Sequence, residues 1–72
     1  MRTIDQLVME VEDLVDDYYG DTEVDPKDIP RLSVEDVLYS IGLPHRAINE
    51  YWNQLIGVAA ERYKTLTEHD NF

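Results

Sequence analysis

Residues 4–18 carry an apolar stripe that only a helix can gather onto one side. Its members recur at steps of three and four along the chain: Ile4, Leu7, Val8, Val11, Leu14, Val15 and Tyr18. That spacing is the period of an amphipathic α-helix. Thr3 is a suitable N-cap, Gln6 completes a capping box, and Gly20 is a natural stop. The pattern therefore predicts a helix over about residues 4–18.

The pattern of the next segment predicts a loop followed by a short helix. Residues 20–32 hold two prolines and scattered acids, which break any helical period and predict an acidic loop. Ser33 is a favourable N-cap, because its hydroxyl can accept a hydrogen bond from a free backbone N–H in the first turn. Gly42 is a favourable stop. A second helix is expected over 33–41.

A third helix is expected over about 44–66, with Pro44 in its first turn. Its apolar stripe recurs at helical spacing: Ile48, Tyr51, Trp52, Leu55, Ile56, Ala59, Tyr63 and Leu66. Residues 67–72 are expected to fray. Together the three segments predict one small all-α domain over 1–72, since a chain of 72 residues buries only about 60% of its unfolded surface.

The chain has no cysteine, so neither a disulfide nor a thiolate metal site can support the fold. No secretion signal is evident, and no apolar run reaches the roughly 18 residues of a membrane span. These features indicate a cytoplasmic protein.

Negative charge is concentrated in the leading part of the sequence. The formal net charge is −10, and residues 1–29 hold ten acids against two bases. Such a field repels free nucleic acid and anionic membrane, and it attracts basic surfaces. The expected partner is therefore a protein with a basic surface, with nucleic-acid-binding proteins favoured.

The acids of the first helix lie off its apolar stripe, and no base occurs between Thr3 and Pro26. Acids four residues apart repel each other, and acids in the last turn oppose the helix dipole. Because such a face costs stability, we interpret it as a contact surface; the alternative is a solvated face kept acidic for solubility. The predicted partner-binding residues are Glu10, Glu12, Asp13, Asp16, Asp17, Tyr19, Asp21, Glu23 and Asp25.

Nucleic-acid mimicry is a sharper form of this hypothesis. Carboxylates three and four residues apart on a helix stand about 5–6 Å from each other. A phosphate strand carries one charge per about 3.4 Å, so a row of carboxylates could occupy a phosphate-binding groove. In composition the chain resembles small, acidic, cysteine-free, helical inhibitors encoded by phages. That resemblance implies a regulator or inhibitor of a nucleic-acid-handling protein.

A second functional hypothesis rests on residues 34–52. A glycine at Gly42, an apolar residue at Leu43 and an apolar pair at Ala47 and Ile48 follow one another at characteristic spacing. This segment resembles the helix-turn-helix of the phage repressor (Cro) family. The resemblance implies a DNA-binding transcriptional regulator whose second helix enters the major groove. Four residues would line that helix: His45, Arg46, Asn49 and Glu50.

The segment also departs from the pattern of that family. Leu38 stands where the family usually has alanine, and Pro44 restricts the turn. Only Arg31 and Arg46 are basic nearby, whereas phosphate neutralisation supplies much of the affinity for DNA. Direct binding of nucleic acid is therefore the alternative rather than the leading hypothesis.

A third functional hypothesis rests on residues 55–60, which contain no polar residue. Six residues exceed one helical turn, so this segment is apolar all round and is either central in the bundle or shared with a second copy. Glycine in a helix interior costs about 1 kcal/mol relative to alanine, which suggests that Gly57 lets another backbone come close. A structural or assembly protein, as a homodimer, would use Leu55, Gly57 and Val58.

Catalytic and metal-binding patterns are missing from the sequence. The two histidines are far apart, and no nucleophile has an evident base beside it. The acidic run from Asp21 lacks the glycine and glutamate that a calcium loop requires, since Pro26 and Leu32 occupy those positions. We expect a protein that is not an enzyme and that uses no cofactor or metal.

Overall fold

The computed structural model describes residues 3–42 and 45–70. Three helices make up most of this part of the chain: α1 (Ile4–Tyr19), α2 (Ile29–Ile41) and α3 (His45–Asp70). A 3-10 turn, Pro26–Asp28, leads into α2. The predicted all-α, three-helix architecture is confirmed.

Helix α1 forms as its end signals predict. The Thr3 hydroxyl accepts a hydrogen bond from the backbone N–H of Gln6, and the Gln6 side chain accepts one from the N–H of Thr3. This reciprocal pair satisfies two donors that a helix start otherwise leaves open. At the other end, the N–H of Gly20 donates to the carbonyl of Tyr18.

Helix α2 begins four residues before the predicted start, so the predicted loop over 20–32 is wrong in its last four residues, 29–32. Pro30 lies in the first turn, where a missing N–H and a fixed φ do no harm. Ser33 is therefore not an N-cap. It is fully buried, and its hydroxyl donates to the carbonyl of Ile29 at 2.8 Å. This bond to residue i−4 lets a serine occupy a position of the apolar stripe.

Helix α3 is longer than predicted, because its 26 residues continue through 67–70, where a frayed tail was expected. At 1.5 Å per residue they extend about 39 Å, which accounts for the 40 Å long dimension of the molecule. The predicted first-turn residue Pro44, like Leu43, lies outside the described residues. None of the described helices has the length and apolarity needed to cross a bilayer.

The core lies where the three helices meet, and all three pairs of helices pack against each other. Burying an aliphatic side chain fully stabilises the fold by about 1.5–3 kcal/mol. The predicted apolar stripes of α1 and α3 are largely confirmed, although Ile4 is 38% exposed. The buried apolar side chains are Leu7, Val11, Val15, Ile29, Val34, Val37, Leu38, Leu55 and Ala59.

Candidate interaction surface

The side of α1 turned away from the core carries four acids and no base of its own. We call it the outer face of α1 and define it by Met9, Glu12, Asp13, Asp16 and Asp17. Its three aspartates are exposed, and Glu12 is half-buried. The apolar stripe of α1 fixes which residues point outward, since Leu7, Val11 and Val15 are buried on the opposite side.

Two of these aspartates have no partner within the described residues. Asp13 and Asp17 neither accept a hydrogen bond nor form an ion pair there. They stand one helical turn apart, at a spacing where like charges destabilise a helix by about 0.2–0.5 kcal/mol. Asp17 also lies in the last turn of α1, which contains no base, so the helix dipole disfavours its charge.

Asp16 differs, because a base from another helix neutralises it. The guanidinium of Arg62 on α3 donates to both Asp16 oxygens, with N···O distances of 2.7 and 2.8 Å. The hydrogen bonds from Arg62 hold the pKa of the Asp16 carboxyl below its usual value. Arg62 thus supplies, from α3, a base that the sequence between Thr3 and Pro26 lacks. Arg62 also feels the fields of Glu12 and Asp13, which it does not contact.

Two acids of the predicted site shape the loop after α1. An Asp21 carboxylate oxygen accepts the backbone N–H of Glu23 at 2.9 Å. Asp25 accepts the N–H of Lys27 at 3.2 Å and caps the 3-10 turn. These short-range bonds are typical of aspartate in turns. All three acids of the loop, Asp21, Glu23 and Asp25, are exposed, but Asp21 and Asp25 also have a structural role.

The remaining predicted residues of this site, Tyr19 and Glu10, are half-buried rather than free on the surface. The Tyr19 ring meets that of Tyr63 edge-to-face, with centroids 6.0 Å apart, and its hydroxyl lies 3.5 Å from the carbonyl oxygen of Leu66. Tyr19 therefore joins α1 to α3, and its role as a partner-binding residue stays a prediction. Glu10 lies toward α2 and, with Asp36, lines a shallow depression.

Tyr18 makes a second polar link between helices. Its hydroxyl donates a hydrogen bond to the carboxylate of Asp36 on α2. Because ionising the phenol would break this bond beside a negative charge, the contact with Asp36 raises the pKa of Tyr18 to about 12. Asp36 is thereby engaged with the fold, in contrast to Asp13 and Asp17.

Sequence reasoning missed Met9, which is 64% exposed at the N-terminal end of the outer face. It lies off the apolar stripe, with Asp5, Glu12 and Asp13 three or four residues away, so helical spacing could have placed it there. Exposed methionine is common at surfaces that adapt to binding partners, because its side chain is flexible and polarisable. The outer face thus combines unpaired carboxylates with one apolar contact point.

The alternative sites receive less support. Gly42 ends α2 in the left-handed region, at φ 63°, as a helix-turn-helix turn requires. Asn49 is exposed, but the side chains of His45, Arg46 and Ala47 lie outside the described part of the chain. On α2, Arg31 is already paired with Glu35 and Asp28.

The apolar segment of α3, residues 55–60, is accounted for mainly by packing within the described chain. Leu55, predicted as an oligomer contact, is fully buried in the core and therefore cannot contact a second copy. Val58 is half-buried against the core. Gly57 is exposed, and apart from its chain neighbours and the local backbone of α3, no atom of the described residues lies within 4 Å of where its Cβ would be. Within the described residues, the helices therefore make no close backbone approach at Gly57.

No three acidic or histidine side chains among the described residues are placed to hold a metal ion. Comparison of the chain with family models, with curated proteins and with solved structures finds no match.

Proposed function

We propose that this chain is a small, non-enzymatic interaction protein that binds the basic surface of a nucleic-acid-handling protein and thereby regulates or inhibits it. The contact is the outer face of α1, and the site of action is the cytoplasm. The observation that supports this most is the pair Asp13 and Asp17. Both are exposed and unpartnered among the described residues, and their mutual repulsion lowers the stability of the helix that carries them.

Local rules of helix stability are commonly broken at functional sites, where an interaction outside the fold provides the compensation. A lysine- or arginine-rich surface would neutralise Asp13 and Asp17, and Met9 between them and the start of α1 would add apolar contact. The surface that a nucleic-acid-handling protein presents to phosphates has this chemistry. Occupying it would exclude nucleic acid, which makes the proposed inhibition a form of mimicry.

The test is capture from a cell lysate on the immobilised protein at low salt, compared with the double variant Asp13→Lys/Asp17→Lys. The control is Glu50→Lys/Glu68→Lys, which changes the net charge equally on exposed positions of α3. We expect wild type and control to retain a basic nucleic-acid-binding protein that high salt or a duplex DNA oligonucleotide releases. The double variant should keep its circular dichroism spectrum and lose capture. Capture that survives the double change rules out the outer face as the contact.

A helix-turn-helix DNA-binding regulator is the second candidate, favoured by the left-handed Gly42 that ends α2. It predicts that the protein itself retards duplex DNA in a gel at low salt and that Arg46→Ala abolishes the shift. The proposal above predicts no shift at any salt concentration, because the net charge of −10 repels phosphates.

A further inference from the structure

A groove with an apolar floor runs between α1 and α3, beside the outer face. Val8 of α1 and Val58 of α3 line it and are each half-buried. Glu12 stands on the α1 side, and Glu61 and Arg62 stand on the α3 side. The groove is open to solvent, so a segment of another molecule can enter it from the side.

We propose that this groove seats a helix of the partner, with its apolar side on Val8 and Val58 and its basic side chains against Glu12 and Glu61. The inference rests on the proposed function, because it specifies which element of the basic partner binds here. It adds a second contact to the outer face of α1 and assigns a role to a surface of α3.

Charge selects a basic occupant over the others. Glu12 and Glu61 form no ion pair with any described residue. Arg62 is the basic residue that lines the groove. Its contact with both oxygens of Asp16 offsets its repulsion of an incoming cation. A second copy of this chain would bring −10 against −10, and a nucleic acid would bring phosphates against the same carboxylates.

The length of the groove favours a short helix as the occupant. The groove follows α3 from Gln54 to Thr65, which corresponds to about 16 Å, or three helical turns. One carboxylate from each helix flanks it, Glu12 of α1 and Glu61 of α3. The occupant is therefore a short amphipathic helix with basic side chains on its polar side.

Gly57 contributes to this shape. It lines the groove, and a Cβ placed there would meet no atom within 4 Å. Packing within the chain therefore does not require glycine at this position. The missing side chain leaves the α3 rim low, so the occupant can approach the backbone of α3.

The test uses fluorescence anisotropy with a labelled helical peptide of about 15 residues, about 22 Å long, with leucine on one face and lysine on the other. A peptide of the same composition, with leucines that share no helical face, is the control. We expect the amphipathic peptide to bind wild type about tenfold more tightly than the control peptide, and to shift the methyl NMR signals of Val8 and Val58.

Protein variants locate the contact. Gly57→Trp should weaken binding of the amphipathic peptide by about tenfold, whereas Ala60→Trp, an exposed substitution of α3 outside the groove, should leave it unchanged. Glu12→Lys/Glu61→Lys should weaken it similarly. The free space for a Cβ at Gly57, which is exposed, favours an intact fold in this variant, and circular dichroism checks it.

Equal binding by Gly57→Trp and Ala60→Trp, or methyl shifts elsewhere than at Val8 and Val58, overturns the inference. So does sedimentation of wild type as a dimer that Gly57→Trp dissociates, because the occupant would then be a second copy. If Asp13→Lys/Asp17→Lys abolishes lysate capture while Gly57→Trp retains peptide, the groove is wrong and the proposed function stands. If Gly57→Trp releases peptide and Asp13→Lys/Asp17→Lys retains capture, the outer face is wrong and the groove stands.

Discussion

The outer face of α1 and the loop that follows it are both acidic, yet the fold uses their carboxylates differently. In the loop, Asp21 and Asp25 each accept a backbone N–H two residues ahead. Within α1 the backbone N–H groups are already bonded to carbonyls four residues back, so Asp13 and Asp17 find no such donor. Loop acids therefore organise the backbone, whereas acids in a helix interior need a partner from elsewhere.

Asp16 shows that such a partner can come from within the chain, because Arg62 reaches it from α3. Asp17, the next residue, lies in the same helical turn, where the helix dipole disfavours both charges. The fold thus pairs one of two adjacent aspartates with a base and leaves the other without an ion pair among the described residues. This contrast supports an external partner for the unpaired carboxylates.

The largest expected effect lies in the loop. Asp25→Ala should lower the free energy of unfolding by about 1 kcal/mol, because the 3-10 turn before α2 loses its capping side chain. The matched control is Glu23→Ala, an exposed acid of the same loop. Urea unfolding monitored by circular dichroism measures both. Equal stability of the two variants would contradict a structural role for the loop acids.

The next effect has the opposite sign. Asp17→Asn should raise the free energy of unfolding by about 0.5 kcal/mol, since it removes repulsion from Asp13 and an unfavourable interaction with the helix dipole. High salt should shrink the difference from wild type, because these charges are exposed. A loss of stability in the same urea experiment would mean that Asp17 has a partner in the fold.

The smallest effect concerns Asp16, where the ion pair is more than one-third exposed and solvent screens it. Asp16→Asn should lower stability slightly at pH 7, and a double-mutant cycle with Arg62→Gln should show a favourable coupling. The pKa of Asp16 is lowered by folding, so its contribution is present above its ordinary value of 3.8 and is lost as pH falls through the folded pKa. Coupling that shows no decline as the pH falls below 3.8 would contradict this assignment.

Helix α1 could be predicted closely because its signals are local. The apolar stripe, the Thr3–Gln6 capping box and Gly20 all lie within one short segment, and each pointed to the same helix. The start of α2 was missed because Ser33 is a common N-cap by residue type. Only the fold shows that its hydroxyl is satisfied by the carbonyl of Ile29 in a buried position.

The candidate site was predicted in part. The outer acids followed from helical spacing, but Arg62 lies 46 residues from Asp16, and no local pattern links the two. The contact of the Tyr19 ring with Tyr63 of α3 was not foreseen, because the sequence neighbours of Tyr19 are acidic and Tyr63 is distant in the sequence. Leu55 was predicted both as a member of the apolar stripe of the third helix and as an oligomer contact, and its full burial confirms the first and excludes the second.

The most direct test measures stability and binding in one variant. Asp13→Asn/Asp17→Asn removes both unpaired charges without adding opposite ones. The account predicts that the free energy of unfolding rises, by up to about 1 kcal/mol, while capture of the basic partner at low salt is lost. Higher stability with capture at the wild-type level would contradict it, because the charges would then serve solubility alone.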